Sequence, residues 1–380
     1  MYFDFRTYLR MLRLARREDA SARRPLLFTL LVVVPVLATL NAACFALDNV
    51  LFPGLRRVRV RAPVFIVGHA RSGTTLLHRL MCMDGERFSY FRFYELFFPS
   101  VLQKKAIRAV GRLDRRVLGG RIERRIEAWD ERQFAATKDQ HATGLFEPEE
   151  DDFVFTLSCA SGFWIVFLPY MDKLDFYGVD EWPARRRRRL MRHYEECVRR
   201  QLYLNGADKV HLSKNPTFSG RVESLIEAFP DARIVVPVRN PSETIPSLLK
   251  LLQSSWRARG WDDARMAPSL RALAEQSFHT YRHPLEVLER HPATPQAVVD
   301  YRDLVADPKA TVEAVYKQLG FPVSPALAEA LAREQHHEAG HESGAGSRYS
   351  LAEFGLREDE IRHRLAPLYA RFGWDEEEQG

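Results

Sequence analysis

Two glycines bracket a short polar loop between a predicted strand and a predicted helix. The stretch from Pro63 to Met83 reads PVFIVGHARSGTTLLHRLMCM, and four residues separate Gly68 from Gly73. The apolar run before the loop indicates a buried strand, and the leucines after it recur at helical spacing. Such a loop aims backbone N–H groups and the positive end of a helix dipole at one point, which favours the binding of an anion such as phosphate.

The polar residues of this loop indicate which phosphate chemistry it suits. The spacing matches a nucleotide P-loop, but Thr74 stands where that loop has lysine, and the basic residue is Arg71 instead. Ser72, Gly73 and Thr75 complete the predicted anion-binding loop. A kinase or NTPase needs the lysine and a bound Mg²⁺, whereas a donor with one phosphate beside a singly charged sulfuryl group needs only a cation near the bridging oxygen. A P-loop kinase or NTPase remains the alternative.

A second strand and helix pair carries further basic and hydroxyl side chains. A predicted strand over Val210 to Ser213 leads into Lys214, and another over Arg233 to Val238 leads into Arg239. Ser247 follows eight residues after Arg239, in the next predicted helix. Because open α/β sheets bind ligands beyond the carboxyl ends of their strands, we expect Arg239 and Ser247 to face that crevice.

These motifs resemble those of sulfotransferases that use 3′-phosphoadenosine 5′-phosphosulfate (PAPS). The segment GHARSGTTLLHRL is similar to the family's 5′-phosphosulfate loop, in the form found in its tyrosylprotein and bacterial carbohydrate-type branch. Arg239 and Ser247 resemble the 3′-phosphate motif, and LSKNP resembles the Lys-Ser-Pro segment with Lys214 in the basic position. The resemblance covers about residues 61 to 375.

The resemblance implies an α/β fold, namely a P-loop-like three-layer fold with a central parallel sheet and helical insertions. It implies transfer of a sulfuryl group from PAPS to a hydroxyl or amine, with adenosine 3′,5′-bisphosphate as product and no metal. Arg348 and Tyr349 would close over the nucleotide. His69 and Ala70 depart from the pattern, because proline often precedes the basic residue there. A membrane-associated nucleotide-binding protein without transferase activity is a further alternative.

Two residues are candidates for the base that takes a proton from the acceptor. Glu95 lies in the aromatic stretch FSYFRFYELFFPS, where loss of water would raise its pKa, and its position resembles that of the catalytic glutamate of the tyrosylprotein branch. His141 is the second candidate, because cytosolic members of the family use a histidine. The acids from Glu149 to Asp152 follow Pro148 and are interpreted as a helix start.

The sequence leaves the acceptor open among small molecules, glycans, peptides and lipids. Residues 163 to 170, FWIVFLPY, are apolar and aromatic and are expected to line its pocket. The pattern H-E-x-x-H from His337 to His341 is typical of zinc proteases, but Gly340 and the following ESGAGS break the helix that it needs, so no metal site is predicted. The basic run Arg185 to Arg189 is interpreted as a solvated helix face, and no nucleic-acid partner is expected.

The predicted organisation is a membrane-associating segment at residues 1 to 60, followed by a sulfotransferase domain at residues 61 to 380. Residues 1 to 24 combine arginines with apolar side chains, and the 23 residues from Pro25 to Leu47 carry no charge. That run is long enough to cross a bilayer, although Pro35 and Asn41 interrupt it and Asp48 closes it.

Arginines flank both ends of this apolar run, so they give no clear orientation. A helix or helical hairpin lying in one leaflet is therefore favoured, with a true span and a buried soluble helix as alternatives. We expect a cytoplasmic protein on the inner face of the membrane, with its oligomeric state open.

Overall fold

The computed structural model describes residues 1–18, 20–138, 144–338 and 350–374. Five parallel strands form one central sheet in the order β2-β3-β1-β4-β5. The strands are β1 (Val64–Ile66), β2 (Phe88–Ser89), β3 (Val210–Lys214), β4 (Arg233–Val238) and β5 (Gln296–Asp300). The predicted α/β fold with a central parallel sheet and helical insertions is confirmed.

Helices surround the sheet and make up most of the described chain. In order they are α1 (Phe5–Ala15), α2 (Ala20–Phe28), α3 (Val34–Leu51), α4 (Thr74–Cys82), α5 (Phe93–Phe97), α6 (Val101–Leu113), α7 (Arg121–Lys138), α8 (Trp164–Phe167), α9 (Ala184–Asn205), α10 (Val222–Ala228), α11 (Pro241–Ala258), α12 (Asp263–Arg290), α13 (Tyr301–Ala306), α14 (Pro308–Gln318), α15 (Pro325–Glu338), α16 (Glu358–Arg364) and α17 (Ala366–Phe372). Single π-helical stretches join α2 to α3 and α6 to α7.

The order of the strands brings the predicted motifs to one edge of the sheet. β1 lies at the centre, where Val64 is in register with Leu212 of β3 and with Arg233 of β4. Every residue of β1 is buried, as expected for a strand covered on both faces. Since the three strands are parallel, the segments that follow β1, β3 and β4 meet at their shared carboxyl edge.

The first 60 residues pack against the rest of the chain. Met11 of α1 and Leu30 between α2 and α3 are fully buried in the same apolar cluster as Phe155 and Tyr194. One helical stretch in the described part of the chain, Arg23–Leu51, is long and apolar enough to cross a membrane, and 33% of its most apolar window is buried. The other side of the stretch carries exposed apolar side chains, namely Phe28, Leu31, Val32, Val36, Leu40, Leu47, Val50 and Leu51.

Asp48 fixes this helix to the body of the protein. Its carboxylate is fully buried and lies 2.9 Å from Nε of Arg200 on α9. It also accepts hydrogen bonds from the hydroxyl of Ser100 and from the N–H groups of Val101 and Leu102, each at 2.9 Å, at the start of α6. One carboxylate therefore joins α3, α6 and α9.

Candidate active site

A cavity of ≈ 550 Å³ opens at the carboxyl ends of β1, β3 and β4. One part of its wall is polar and comes from the glycine loop and the segments that follow β3 and β4. Another part is apolar. The polar lining includes Arg71, Thr74, Thr75, Glu149, Glu150, Lys214 and Arg239, and the apolar lining includes Phe153, Phe163, Ile165, Val166, Leu248 and Leu252.

The two glycines allow the loop to press closely on its neighbours. Gly68 has φ +115°, and a Cβ there would lie 2.7 Å from the carbonyl oxygen of Pro237. Gly73 has φ +81°, and a Cβ there would lie 2.7 Å from the Tyr301 ring. Side chains at either position would therefore displace β4 or α13. As the residue that caps α4, Gly73 leaves the first N–H groups of the helix free of any side chain.

His69 ties the loop to α12. The ring is buried, with Nδ1 2.6 Å from the carbonyl of Ala70 and Nε2 3.0 Å from the hydroxyl of Ser277. It stacks on Tyr281 with the ring centres 4.9 Å apart. Burial lowers the pKa of His69 to about 4, so the ring is neutral at pH 7. These contacts hold the loop at the position where the related motifs often have proline.

Arg71 brings the two predicted phosphate motifs together. It has φ +71°, a conformation rarely adopted by residues other than glycine. Its Nε donates a hydrogen bond to the hydroxyl of Ser247, which reaches it from α11 across 3.2 Å. Ser247 therefore contacts the cation of the first loop.

Arg239 follows β4 directly and lines the same cavity. Its Nε donates to the carboxylate of Glu243 at 2.8 Å, and its guanidinium lies 4.3 Å from the centre of the Tyr301 ring. The Glu243 side chain is 51% exposed, so this pair is open to water and to an incoming anion. An anion that binds Arg239 therefore competes with Glu243.

Lys214 is a buried cation at the end of β3. Its Nζ lies 2.7 Å from Glu150, 3.8 Å from Glu149 and 3.4 Å from the hydroxyl of Thr75. Burial alone would lower the pKa of Lys214, but the two carboxylates raise it above its ordinary value, so the ammonium stays charged. Through Thr75, this cation borders the anion-binding loop.

Glu150 is the functional candidate that the sequence interpretation missed. Burial raises the pKa of its carboxyl to about 7, against the opposing effect of Lys214. The 3₁₀ helix Asp151–Ser158 begins at these acids, as the sequence predicts, and Glu150 is its N-cap residue. The Glu150 carboxylate, however, makes no capping hydrogen bond and binds Lys214 instead. A carboxyl group that titrates near pH 7 in a cavity is suited to accept a proton.

Buried polar contacts fix the segment that carries Glu150. Asp151 accepts a hydrogen bond from Tyr194 and lies 2.6 Å from Nε2 of His211. Asp152 forms an ion pair with Arg221 at 3.0 Å, in which both side chains are fully buried. Removing either partner of such a pair would leave a buried charge, so the segment is held strongly in place.

The remaining predicted site residues lie elsewhere. Glu95 is buried at α5, where it accepts hydrogen bonds from Gln201 at 2.7 Å and from the N–H of Arg92 at 3.1 Å, and lies 3.5 Å from Arg108. The structure does not bring it to the cavity wall. Three other predicted residues, His141, Arg348 and Tyr349, lie outside the described residues.

The chain is similar to known proteins in sequence and in fold. Residues 63–325 match the model of the sulfotransferase family. Two curated relatives, the omega-hydroxy-beta-dihydromenaquinone-9 sulfotransferases Stf3 of Mycobacterium bovis and Mycobacterium tuberculosis, are each 28% identical over 287 residues. The match covers 68% of this chain and spans 62% of the length of those relatives.

Two solved structures share the fold. Sulfotransferase STF1 from Mycobacterium tuberculosis H37Rv aligns with a TM-score of 0.66 and 19% identity, over 95% of this chain and 92% of that chain. Sulfotransferase STF9 from Mycobacterium avium aligns with a TM-score of 0.66 and 17% identity, over 98% of this chain and 97% of that chain. At these identities the likeness is one of fold.

Proposed function

Because the chain belongs to the sulfotransferase family, we propose that it transfers a sulfuryl group from PAPS to a hydroxyl group of an apolar, lipid-type acceptor. One observation carries this proposal. Arg71, Lys214 and the start of α4 meet in one cavity, and another part of its wall is apolar. Cations suit an anionic donor, and the apolar wall suits an acceptor with a large hydrocarbon part.

The described residues fit the donor. Gly73 has no side chain to cap α4, so the first N–H groups of the helix are left for the 5′-phosphosulfate. Arg71, Thr75 and Lys214 add charge and a hydroxyl group around them. Arg239 and Ser247 would hold the 3′-phosphate. When bound, PAPS supplies an activated sulfuryl group on a phosphate leaving group.

Three side chains of the cavity have complementary roles in the proposed reaction. Lys214 and Arg71 provide fixed positive charge where negative charge develops on the leaving oxygen. Glu150 accepts the proton of the acceptor hydroxyl, because it lies in the cavity and its pKa is raised to about 7. We prefer Glu150 to Glu95 as the base, since Glu150 lines the cavity and Glu95 does not. His141 stays a prediction.

The apolar wall supports a lipid-type acceptor. Phe153 and Phe163 stack with their ring centres 3.7 Å apart, and Ile165, Val166 and Leu248 extend the same wall. The curated relatives are named for a hydroxylated dihydromenaquinone. We infer an acceptor of this general kind, with a hydroxyl group on a hydrophobic molecule.

The arrangement of the apolar stretch Arg23–Leu51 supports a location on a membrane surface, which we propose to be the inner face. Asp48 binds its last turn to α6 and α9, while Phe28, Leu31 and Val36 remain exposed on the outer side. A helix fixed to the body in this way would have to leave a buried ion pair in order to span the bilayer. The contacts therefore favour a helix that lies in one leaflet.

Comparing two nucleotides tests the donor. We expect adenosine 3′,5′-bisphosphate to raise the melting temperature without Mg²⁺, since a ligand at 100 times its Kd stabilises the folded state by about 2.7 kcal/mol. Labelled sulfate should then pass from PAPS to a long-chain alcohol. If ATP with Mg²⁺ stabilises the protein and adenosine 3′,5′-bisphosphate does not, the result would instead support the kinase or NTPase alternative. Nucleotide stabilisation without transfer to any alcohol would support the binding protein without activity.

A further inference from the structure

α6, the π-helical stretch Asp114–Leu118 and α7 form a helical hairpin that has almost no buried side chains beyond its base. Between residues 105 and 133 only Asp114 and Gly120 are buried. The Asp114 carboxylate holds the tip together by accepting hydrogen bonds from the N–H groups of Ile122 at 3.1 Å and Glu123 at 3.0 Å. The hairpin therefore has local order but no core of its own.

Large apolar side chains cover the outside of this hairpin. They recur at helical spacing on both helices and are most exposed near the tip, at 61% for Leu113 and 69% for Val117. The full set is Ile107, Val110, Leu113, Val117, Leu118, Ile122, Ile126 and Trp129. Soluble proteins rarely expose so many neighbouring apolar groups unless the surface meets a partner or a membrane.

The charge around the tip of this hairpin is strongly positive. Three acids, Glu127, Asp130 and Glu131, lie farther along α7, but residues 105 to 125 contain eight lysines and arginines and only two acids. Both acids are engaged within the hairpin, Asp114 in the tip bonds and Glu123 with Arg115 at 2.9 Å. Apolar side chains bordered by arginine, with a tryptophan farther from the tip, are typical of surfaces that enter the headgroup region of anionic lipid.

We propose that the tip of the α6–α7 hairpin inserts into an anionic membrane surface and is a second lipid contact besides the Arg23–Leu51 stretch. A second copy of the chain suits this surface less well, because a symmetric contact would bring two arginine-rich tips together. The hairpin is not part of the cavity either, since no residue between 101 and 138 is among the described residues that line it. The proposal does not depend on the identity of the acceptor.

A fluorescent label at the tip tests the insertion directly in the full-length protein. We would replace the half-buried Cys82 with serine, leave the three buried cysteines, and attach an environment-sensitive dye to Val117→Cys. The matched control is Val305→Cys on α13, where the valine is 38% exposed. With vesicles containing phosphatidylglycerol, we expect blue-shifted emission and protection from iodide at position 117 only. Vesicles of pure phosphatidylcholine should give a much smaller change.

Partition measurements with the same vesicles identify the groups responsible. Leu113→Ser, Val117→Ser and Leu118→Ser combined should weaken binding by about ten-fold or more. Arg116→Gln and Arg121→Gln should each weaken it by about five-fold, whereas Arg333→Gln, at an exposed site on α15, should not.

Two outcomes would overturn the proposal and also separate its failure from that of the N-terminal contact. In the first, the protein binds vesicles while the dye at position 117 stays as accessible to iodide as the dye at position 305, which would leave the Arg23–Leu51 stretch as the lipid contact. In the second, the dye at position 117 becomes protected without vesicles as protein concentration rises, which would identify a contact between copies of the chain.

Discussion

The Nε of Arg71 donates a hydrogen bond to the hydroxyl of Ser247 at 3.2 Å, although 176 positions separate the two residues in the chain. Arg71 belongs to the loop after β1, and Ser247 belongs to the helix after β4. The contact couples the predicted sites for the two ends of the donor. A substitution at either residue should therefore alter the position of the other side chain.

Replacing Arg71 with alanine should slow turnover far more than it weakens binding of the product nucleotide. The expected loss in kcat is about 100-fold or more, because the guanidinium acts on charge that develops during transfer. Steady-state kinetics together with calorimetric titration of adenosine 3′,5′-bisphosphate measure both effects. Equal losses in kcat and affinity would mean that Arg71 only binds.

Replacing Ser247 with alanine should lower kcat by about five-fold, the scale of one lost hydrogen bond that positions Arg71. Ser254→Ala, an exposed site on the same helix, is the matched control and should behave as wild type. Comparing the affinities for adenosine 3′,5′-bisphosphate and 5′-AMP distinguishes this positioning role from binding of the 3′-phosphate. If Ser247→Ala weakens adenosine 3′,5′-bisphosphate but not 5′-AMP and leaves kcat unchanged, Ser247 serves the 3′-phosphate alone.

Arg239 and Glu243 should have opposite effects on nucleotide affinity. Arg239→Ala should weaken adenosine 3′,5′-bisphosphate and leave 5′-AMP nearly unchanged. Glu243→Gln should strengthen the same nucleotide by about two- to five-fold, because it frees the guanidinium from an exposed ion pair. Calorimetry with both nucleotides checks this, and a parallel change for 5′-AMP would contradict the assignment to the 3′-phosphate.

Replacing Glu150 with glutamine should reduce kcat by about 100-fold or more while nucleotide binding is kept. A base must be ionised, and burial raises the pKa of Glu150 to about 7, so wild-type kcat/KM should fall as the pH drops below about 7. Glu95→Gln is the comparison variant, and its kcat/KM should show the same fall below about pH 7. An inactive Glu95→Gln protein that is fully folded, beside an active Glu150→Gln protein, would return the role of base to Glu95.

Replacing Asp48 with asparagine should destabilise the whole protein. The change leaves buried Arg200 with one partner fewer and weakens the start of α6, so we expect a loss of about 3 kcal/mol in the free energy of unfolding. Asp263→Asn disrupts an exposed pair with Arg257 and should cost about 0.5 kcal/mol or less. Urea denaturation measures both, and similar losses for the two variants would contradict the structural role of Asp48.

The sequence predicts the strand, loop and helix around Arg71 because each depends on neighbouring residues. An apolar run, two glycines with four residues between them, and leucines at helical spacing are local signals. The position of Arg239 is predictable for the same reason, since it follows a buried strand directly. Edge strand β2 is not predictable in this way, because its two residues lie within an aromatic stretch without alternation.

The environments of the acids depend on distant contacts, which the sequence does not reveal. Glu150 meets Lys214 from 64 positions away, whereas its own neighbourhood reads as a helix start. The aromatic surroundings of Glu95 indicate burial, and the residue is buried. Its hydrogen-bond donor Gln201, however, comes from α9, and the residues around Glu95 in the sequence give no sign of this contact.

The junction at Asp48 has a consequence for how the protein meets its acceptor. Membrane enzymes held by a flexible tether can sample many heights above the bilayer. Here the apolar stretch is clamped to α6 and α9, so the distance from its outer face to the cavity is set by the fold. With that stretch in the leaflet as proposed, the cavity lies at a fixed distance from the membrane. The protein would then select acceptors by the depth at which they present their hydroxyl group.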